Sequence, residues 1–223
     1  MEQTLVSTRR SLHAVAETLM AGHQHRVAGT IRLAVTPGGF STRPLPGDPS
    51  LLTVRGTDLV VVGRAGEKAL ALAGTLGELA AAADIEFGAP EGVYGEGTRA
   101  QAGDRVVVDP TSAAAIAGAL ATGDTALRRL AAAHAHDAPP DPVLWPEHFD
   151  VGISLDEVNY GISAGDTAIE EPYAYVGPWR PRVGDFWDRP FGAARTVREL
   201  GDVDAMVEFL ETGRRQAERD PKA

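Results

Sequence analysis

Between residues 28 and 72 short apolar runs alternate with glycine-containing turns, and this alternation limits what the chain can fold into. Residues 28–35 read as a strand, with Ile31, Leu33 and Val35 on one face and Thr30 and Arg32 on the other. Pro37-Gly38-Gly39 is a turn from which residues 40–43 return, and 44–49 is a loop. Residues 51–55 and 59–64 form a hairpin about Gly56-Thr57-Asp58, and 67–72 adds a further strand. Strands this short on turns this tight pair antiparallel, as a meander.

Helical segments flank the meander. Leu5, Leu12, Val15, Ala16 and Leu19 recur at helical spacing, with His13 and Glu17 among them and Gly22 as the stop. Residues 75–83 open with Thr75 and Glu78 at capping-box spacing. Residues 85–105 are glycine-rich and irregular, and Val106 to Val108 make a short apolar strand or edge. Asp109-Pro110 then starts the longest helix, through Ile116, Leu120, Leu127 and Leu130 to about Ala135. After a Pro-rich connector at 138–142, Phe149, Val151, Ile153 and Leu155 alternate with polar or small residues as a half-buried strand. Residues 173–176 are another strand. A last helix, 203–214, is capped by Asp202, and 215–223 is a polar tail. The pattern predicts one α+β domain over 1–223: a mostly antiparallel sheet with helices packed on one side.

Composition narrows the function classes. The 223 residues hold no cysteine, which removes disulfides, thiolate metal sites and a cysteine nucleophile. The formal net charge of −10 argues against nucleic acid and against anionic lipid as partners. No apolar run is long enough to span a bilayer, and the first residues do not read as a signal peptide. The expected setting is the cytoplasm.

The aromatic residues are unevenly spread. All three Trp fall in the aromatic- and acid-rich part, 143–192, together with Phe149, Tyr160, Tyr173, Tyr175, Phe186 and Phe191. Aromatic walls with a few polar groups are how small-molecule pockets are built. An alanine-rich protein also needs such residues for core volume, and an oligomer interface would use them as rigid contacts. Trp145-Pro146-Glu147-His148-Phe149-Asp150 is the densest cluster. On an extended strand His148 and Asp150 share a face, and a carboxylate beside an imidazole suits acid–base work. The opposing reading is a strand histidine satisfied by its neighbours. Asn159-Tyr160-Gly161 and Gly165-Asp166 read as turns. The expected site is therefore His148 and Asp150 as catalytic pair, with Trp145, Tyr160, Tyr173, Tyr175 and Trp179 binding a small-molecule ligand.

Other motifs lose their context. Gly161-Ile162-Ser163-Ala164-Gly165 matches the nucleophile elbow, but no helix follows Ser163 and no histidine follows His148. Gly95-Glu96-Gly97-Thr98-Arg99-Ala100 matches a dinucleotide fingerprint but follows no strand and opens no helix, so it reads as a flexible loop. His23-x-His25 and His134-x-His136 sit at predicted helix ends, where histidine suits the dipole. At that spacing on a helix the rings diverge, and no metal site is expected. Nothing in these motifs names a cofactor.

The run Leu144 to Asp150, then Asn159-Tyr160-Gly161 with Gly165-Asp166, then Glu171-Pro172-Tyr173 with Tyr175-Val176-Gly177-Pro178-Trp179, resembles a group of uncharacterised actinobacterial proteins. Residues 28–62 resemble a more remote domain of unknown function. The resemblance implies a bacterial cytoplasmic protein of one domain, and implies no activity, cofactor or residue role.

Overall fold

The computed structural model describes residues 2–44, 51–64, 66–95 and 97–221. The first helix outruns the sequence expectation. Helix α1 (Glu2–Val15) passes without a break into one π-helical turn, Ala16–Ala21, and then into α2 (Gly22–Ala28). Gly22 does not stop the helix. It makes room, because a Cβ there would lie 1.8 Å from the carbonyl oxygen of Gly88. The stop is Gly29, left-handed at φ 66°, whose N–H donates to the His25 carbonyl as glycine caps do.

The chain falls into two compact units, each drawn from separated stretches: Met1–Gly118 with Leu144–Phe149, and Ala119–Val143 with Asp150–Ala223. In the first unit β1 (Ala34–Thr36), β2 (Gly39–Ser41), β3 (Leu51–Arg55), β4 (Asp58–Gly63) and β5 (Gly66–Ala71) lie in chain order, every neighbour antiparallel. This is the expected meander, with a shorter first strand. Leu33 instead exchanges both backbone hydrogen bonds with Leu144, at 3.1 Å each. The loop expected at 44–49 lies, beyond Pro44, outside the described residues. Phe40 pairs with Val54, and Val54 with Leu59, so their buried side chains line one face. β5 carries Glu67 and Lys68 on an exposed edge, charges that discourage a further strand from adding.

Helix α3 (Leu76–Ala82) has the reciprocal Thr75–Glu78 capping box its sequence predicts. The described part of 85–105 is irregular, and 106–108 pairs with no strand; only Arg105 forms a bridge, with Thr75. Helix α4 (Pro110–Ala133) is capped by Asp109, whose Oδ1 accepts from Ser112 N–H at 2.8 Å.

A short strand, β6 (Val143–Trp145), comes next, and then the remaining strands of the second sheet. There β7 (Asp150–Leu155), β8 (Val158–Ser163), β9 (Tyr173–Pro178) and β10 (Ala193–Thr196) pair antiparallel in succession. Asn159-Tyr160-Gly161 is thus strand, not turn. The turn is Asp156-Glu157, both left-handed at φ 53° and 60°. That geometry matches hairpin twist, but it normally announces itself by Asn or Gly.

Two helices close one face of this sheet. A Cβ at Gly123 of α4 would come within 2.6 Å of Ile162, so only glycine admits the helix this close. After the short α5 (Val197–Leu200), α6 (Val203–Arg219) makes the same approach through Gly213, where a Cβ would stand 2.5 Å from Val176. α6 runs past Arg214 into the expected tail, where Arg215 pairs with Glu208 at 2.7 Å. Small residues on both helices and β-branched residues on the strands let an alanine-rich chain reach native packing. The fold class is α+β. Among the described residues no helix is long and apolar enough to cross a membrane.

Candidate functional site

The π turn buries an acid. Ala16 to Ala21 are all buried, and Glu17 among them is 2% exposed. The Thr18 hydroxyl donates to the Ala14 carbonyl at 2.7 Å, a side-chain bond that loosens regular helix. Single π turns of this kind recur at functional sites. Glu17 Oε2 accepts from Thr98 N–H at 2.8 Å and from the Thr98 hydroxyl. Gly97 admits the carboxylate: a Cβ there would stand 2.0 Å from Glu17 Oε1. Within the glycine-containing run that resembles a dinucleotide fingerprint, Gly97 and Thr98 therefore serve to hold Glu17. The glycine allows backbone to close over a charge.

Three further polar groups converge there within the first unit. The His13 ring stacks on Phe149, centroids 5.4 Å apart and planes 11° from parallel. Among the described residues its Nε2 is buried without a hydrogen-bond partner, and so are Glu147 Oε2 and the Tyr94 hydroxyl. Burial holds the His13 pKa below the ordinary imidazole value, and the charge of Glu17 and hydrogen bonding to the backbone of Pro146 and Glu147 oppose it. Burial, and then the adjacent Glu17 charge, push the Tyr94 phenol up. Glu17 lies beside that hydroxyl, yet the two miss good hydrogen-bond geometry.

His13 and Thr98 also line a cleft of about 360 Å³, with Arg10, Ser11, Asp104 and Arg105. Ser11 Oγ and Asp104 are occupied by backbone N–H groups of Val107 and Gln101. Among the described residues the guanidinium groups of Arg10 and Arg105 have no acidic partner, and both are exposed. The cleft is thus lined by two exposed cations and by an imidazole that burial holds toward its neutral form.

The structure divides the residues expected at the site. His148 and Asp150 do not share a strand: 146–149 is a turn, closed by Phe149 N–H on the Trp145 carbonyl at 2.8 Å. Phe149 is left-handed at φ 53°, a strained setting for an aromatic residue, and breaks the alternation. His148 is exposed and belongs to the first unit; Asp150 is buried and begins β7 in the second. Trp145, in the first unit, has the Arg32 guanidinium 5.7 Å from its ring centroid.

In the second unit Asp150 meets one of the tyrosines, Tyr175. Tyr175 pairs with Gly161, and Gly161 with Gly152, a lane without side chains. A Cβ at Gly161 would stand 2.4 Å from the Tyr175 hydroxyl, so the ring lies along this lane and donates to Asp150 Oδ2. Tyr173 donates to Asp166 Oδ2 at 2.5 Å. Burial, then nearby carboxylates, raise both phenols. Tyr160 points to the opposite face and lines a separate cleft of about 430 Å³ with Asp156, Arg182, Arg214 and Glu218. Trp179 is 62% exposed, its indole N–H donating to Asn159 at 2.9 Å. Ser163 ends β8 with bends after it rather than a helix, so the elbow motif is incidental.

His13, Glu17, Tyr94 and Thr98 went unsingled by sequence reasoning. The available signal was a His and a Glu four residues apart inside the apolar stripe of the first helix. No family model, curated protein or solved structure matches this chain.

Proposed function

We propose that the protein binds a small anionic molecule in the cleft of the first unit and carries out acid–base chemistry on it, with His13 as the proton-transferring group. The observation that carries this reading is His13, which lines that cleft and whose buried Nε2 has no partner among the described residues, with the equally unpartnered Glu147 Oε2 in the same unit. Such groups cost free energy unless something satisfies them, and an unsatisfied titratable group in a cleft wall is a ligand-site signature. Arg10 and Arg105 would attract a carboxylate or phosphate, which a chain of net charge −10 otherwise repels. Glu17, fixed by Thr98, would steady the imidazolium formed when His13 takes a proton. The setting is the cytoplasm, which the lack of cysteine suits.

The test is native mass spectrometry of the protein after incubation with bacterial extract, on wild type and on Arg10→Ala/Arg105→Ala. An anionic metabolite retained by wild type and lost in the variant supports the reading; equal retention by both overturns it.

A second reading is a non-enzymatic oligomer interface in the second unit. Trp179, Val183 and Phe191 are each more than two-fifths exposed there. Sedimentation velocity of Trp179→Ser against wild type separates the two: dissociation of a wild-type oligomer supports an interface.

A further inference from the structure

We propose that the C-terminal end of α4 carries a transition-metal site of the zinc type, formed by His134, His136 and Asp137. Its residues are distinct from those of the first-unit cleft, and its argument is independent of that reading.

On a continuing α-helix two residues at i and i+2 point about 200° apart and cannot share an ion. The chain does not continue as an α-helix. His134 leaves it at φ −115° and ψ 33°, and one 3-10 turn, Ala135–Asp137, follows. Ala138 then closes that turn in the left-handed conformation, at φ 48°. The break gathers the side chains: one ligand atom from each of His134, His136 and Asp137 lies within 4.8 Å of the others. The two imidazole ring centroids are 6.1 Å apart, with planes tilted by 57°.

Two imidazole nitrogens and one carboxylate oxygen are a donor set for Zn²⁺ and its neighbours, not for Mg²⁺ or Ca²⁺, which prefer all-oxygen sites. His136 and Asp137 already approach each other at 3.1 Å, and His136 is exposed enough to turn onto an ion. Three protein ligands leave a coordination position open to water.

A second feature is the support behind His134. Its Nε2 lies 2.9 Å from Glu211 Oε1 on α6, both side chains largely buried at 12% and 19% exposure. Metal-binding histidines commonly give their second ring N–H to a carboxylate, which fixes the ring and sets the tautomer. Donation from Nε2 to Glu211 leaves the Nδ1 lone pair for the ion. Arg214, 3.9 Å from the other Glu211 oxygen, holds that carboxylate from behind. The arrangement is a positioned ligand, an exposed ligand and an adjacent carboxylate.

The experiment is isothermal titration of EDTA-stripped full-length protein with ZnCl₂, in a non-chelating buffer at neutral pH. The variants are His136→Ala, Glu211→Gln and, as a control at the other histidine pair, His25→Ala. Circular dichroism checks that each variant folds. Wild type takes up one equivalent saturably. His136→Ala weakens binding at least about tenfold by removing a ligand, and Glu211→Gln about tenfold or more by loosening His134. His25→Ala binds as wild type does. Absence of saturable uptake by wild type overturns the proposal. So does unchanged affinity in His136→Ala, or loss of binding in His25→Ala alone.

Discussion

Replacing Gly97 by alanine tests whether the buried carboxylate of Glu17 organises the first unit. The added Cβ would stand 2.0 Å from Glu17 Oε1 and 3.2 Å from Tyr94 Cε2. Either the 97–98 backbone or the acid must move. Glu17 cannot swing into solvent cheaply, since it is 2% exposed. Moving either group breaks the two hydrogen bonds that Oε2 accepts from Thr98. Hydrogen bonds to a charged group contribute about 1.5–3 kcal/mol each, so the low end of the loss is about 3 kcal/mol. For a chain of this length that is a fall in Tm of roughly 6–12 °C. Urea denaturation followed by circular dichroism measures it, and Trp145 fluorescence in a Trp179→Phe/Trp187→Phe background reports the first unit alone. The second half of the test is a double-mutant cycle. In a Glu17→Ala background the obstructing oxygen is gone, and Gly97→Ala should cost less than about 1 kcal/mol. A Gly97→Ala protein as stable as wild type would refute the reasoning. Equal cost in both backgrounds would show that Gly97 matters for some reason other than Glu17.

Three further outcomes follow from the same geometry. Gly123→Ala, which drives a methyl to within 2.6 Å of Ile162, should destabilise by about 1–3 kcal/mol despite better helix propensity. Gly118→Ala on the same helix, where a Cβ meets nothing within 4 Å, should stabilise by about 0.5–1 kcal/mol; chemical denaturation checks both. The third concerns pH. The His13 pKa is lowered on folding, so the unfolded chain binds the proton more readily. The resulting stability is full above the unfolded value of 6.5 and is lost as pH falls from there toward the folded value, at a slope of at most about 1.4 kcal/mol per pH unit. The stability difference between wild type and His13→Gln, measured by denaturation from pH 7.5 to 5, should therefore move against wild type as pH falls; a pH-independent difference would contradict the assignment.

Local signals carried most of the fold. Gly38 and Gly56 mark their turns, Asp109-Pro110 marks the start of α4, and Thr75 with Glu78 marks α3; each is a contact within a few residues. β8 was hidden because its turn, Asp156-Glu157, takes left-handed φ without a glycine. The first helix was cut at Gly22 because a glycine serving close packing against Gly88 looks, in sequence, like a glycine serving a cap. Within the aromatic- and acid-rich part, Asp150 and Tyr175 meet over the glycine lane of Gly152 and Gly161. The His148–Asp150 pairing rested on period-two alternation, and one positive φ at Phe149 undid it. The first-unit cluster was illegible for a different reason. Its members come from α1, the π turn, Tyr94, Thr98 and the 146–147 turn, and only tertiary packing joins them.

The most direct measurement of the central claim is a titration of ¹⁵N-labelled protein with inorganic phosphate and with citrate, followed by amide and imidazole NMR. The account predicts that signals of Arg10, Ser11, His13, Thr98 and Arg105 shift together along one saturable curve for at least one of these anions. In Arg10→Ala/Arg105→Ala that curve should weaken or vanish. Saturable shifts confined to the other cleft, at Tyr160, Arg182 and Arg214, or shifts that ignore the two arginines, would contradict it.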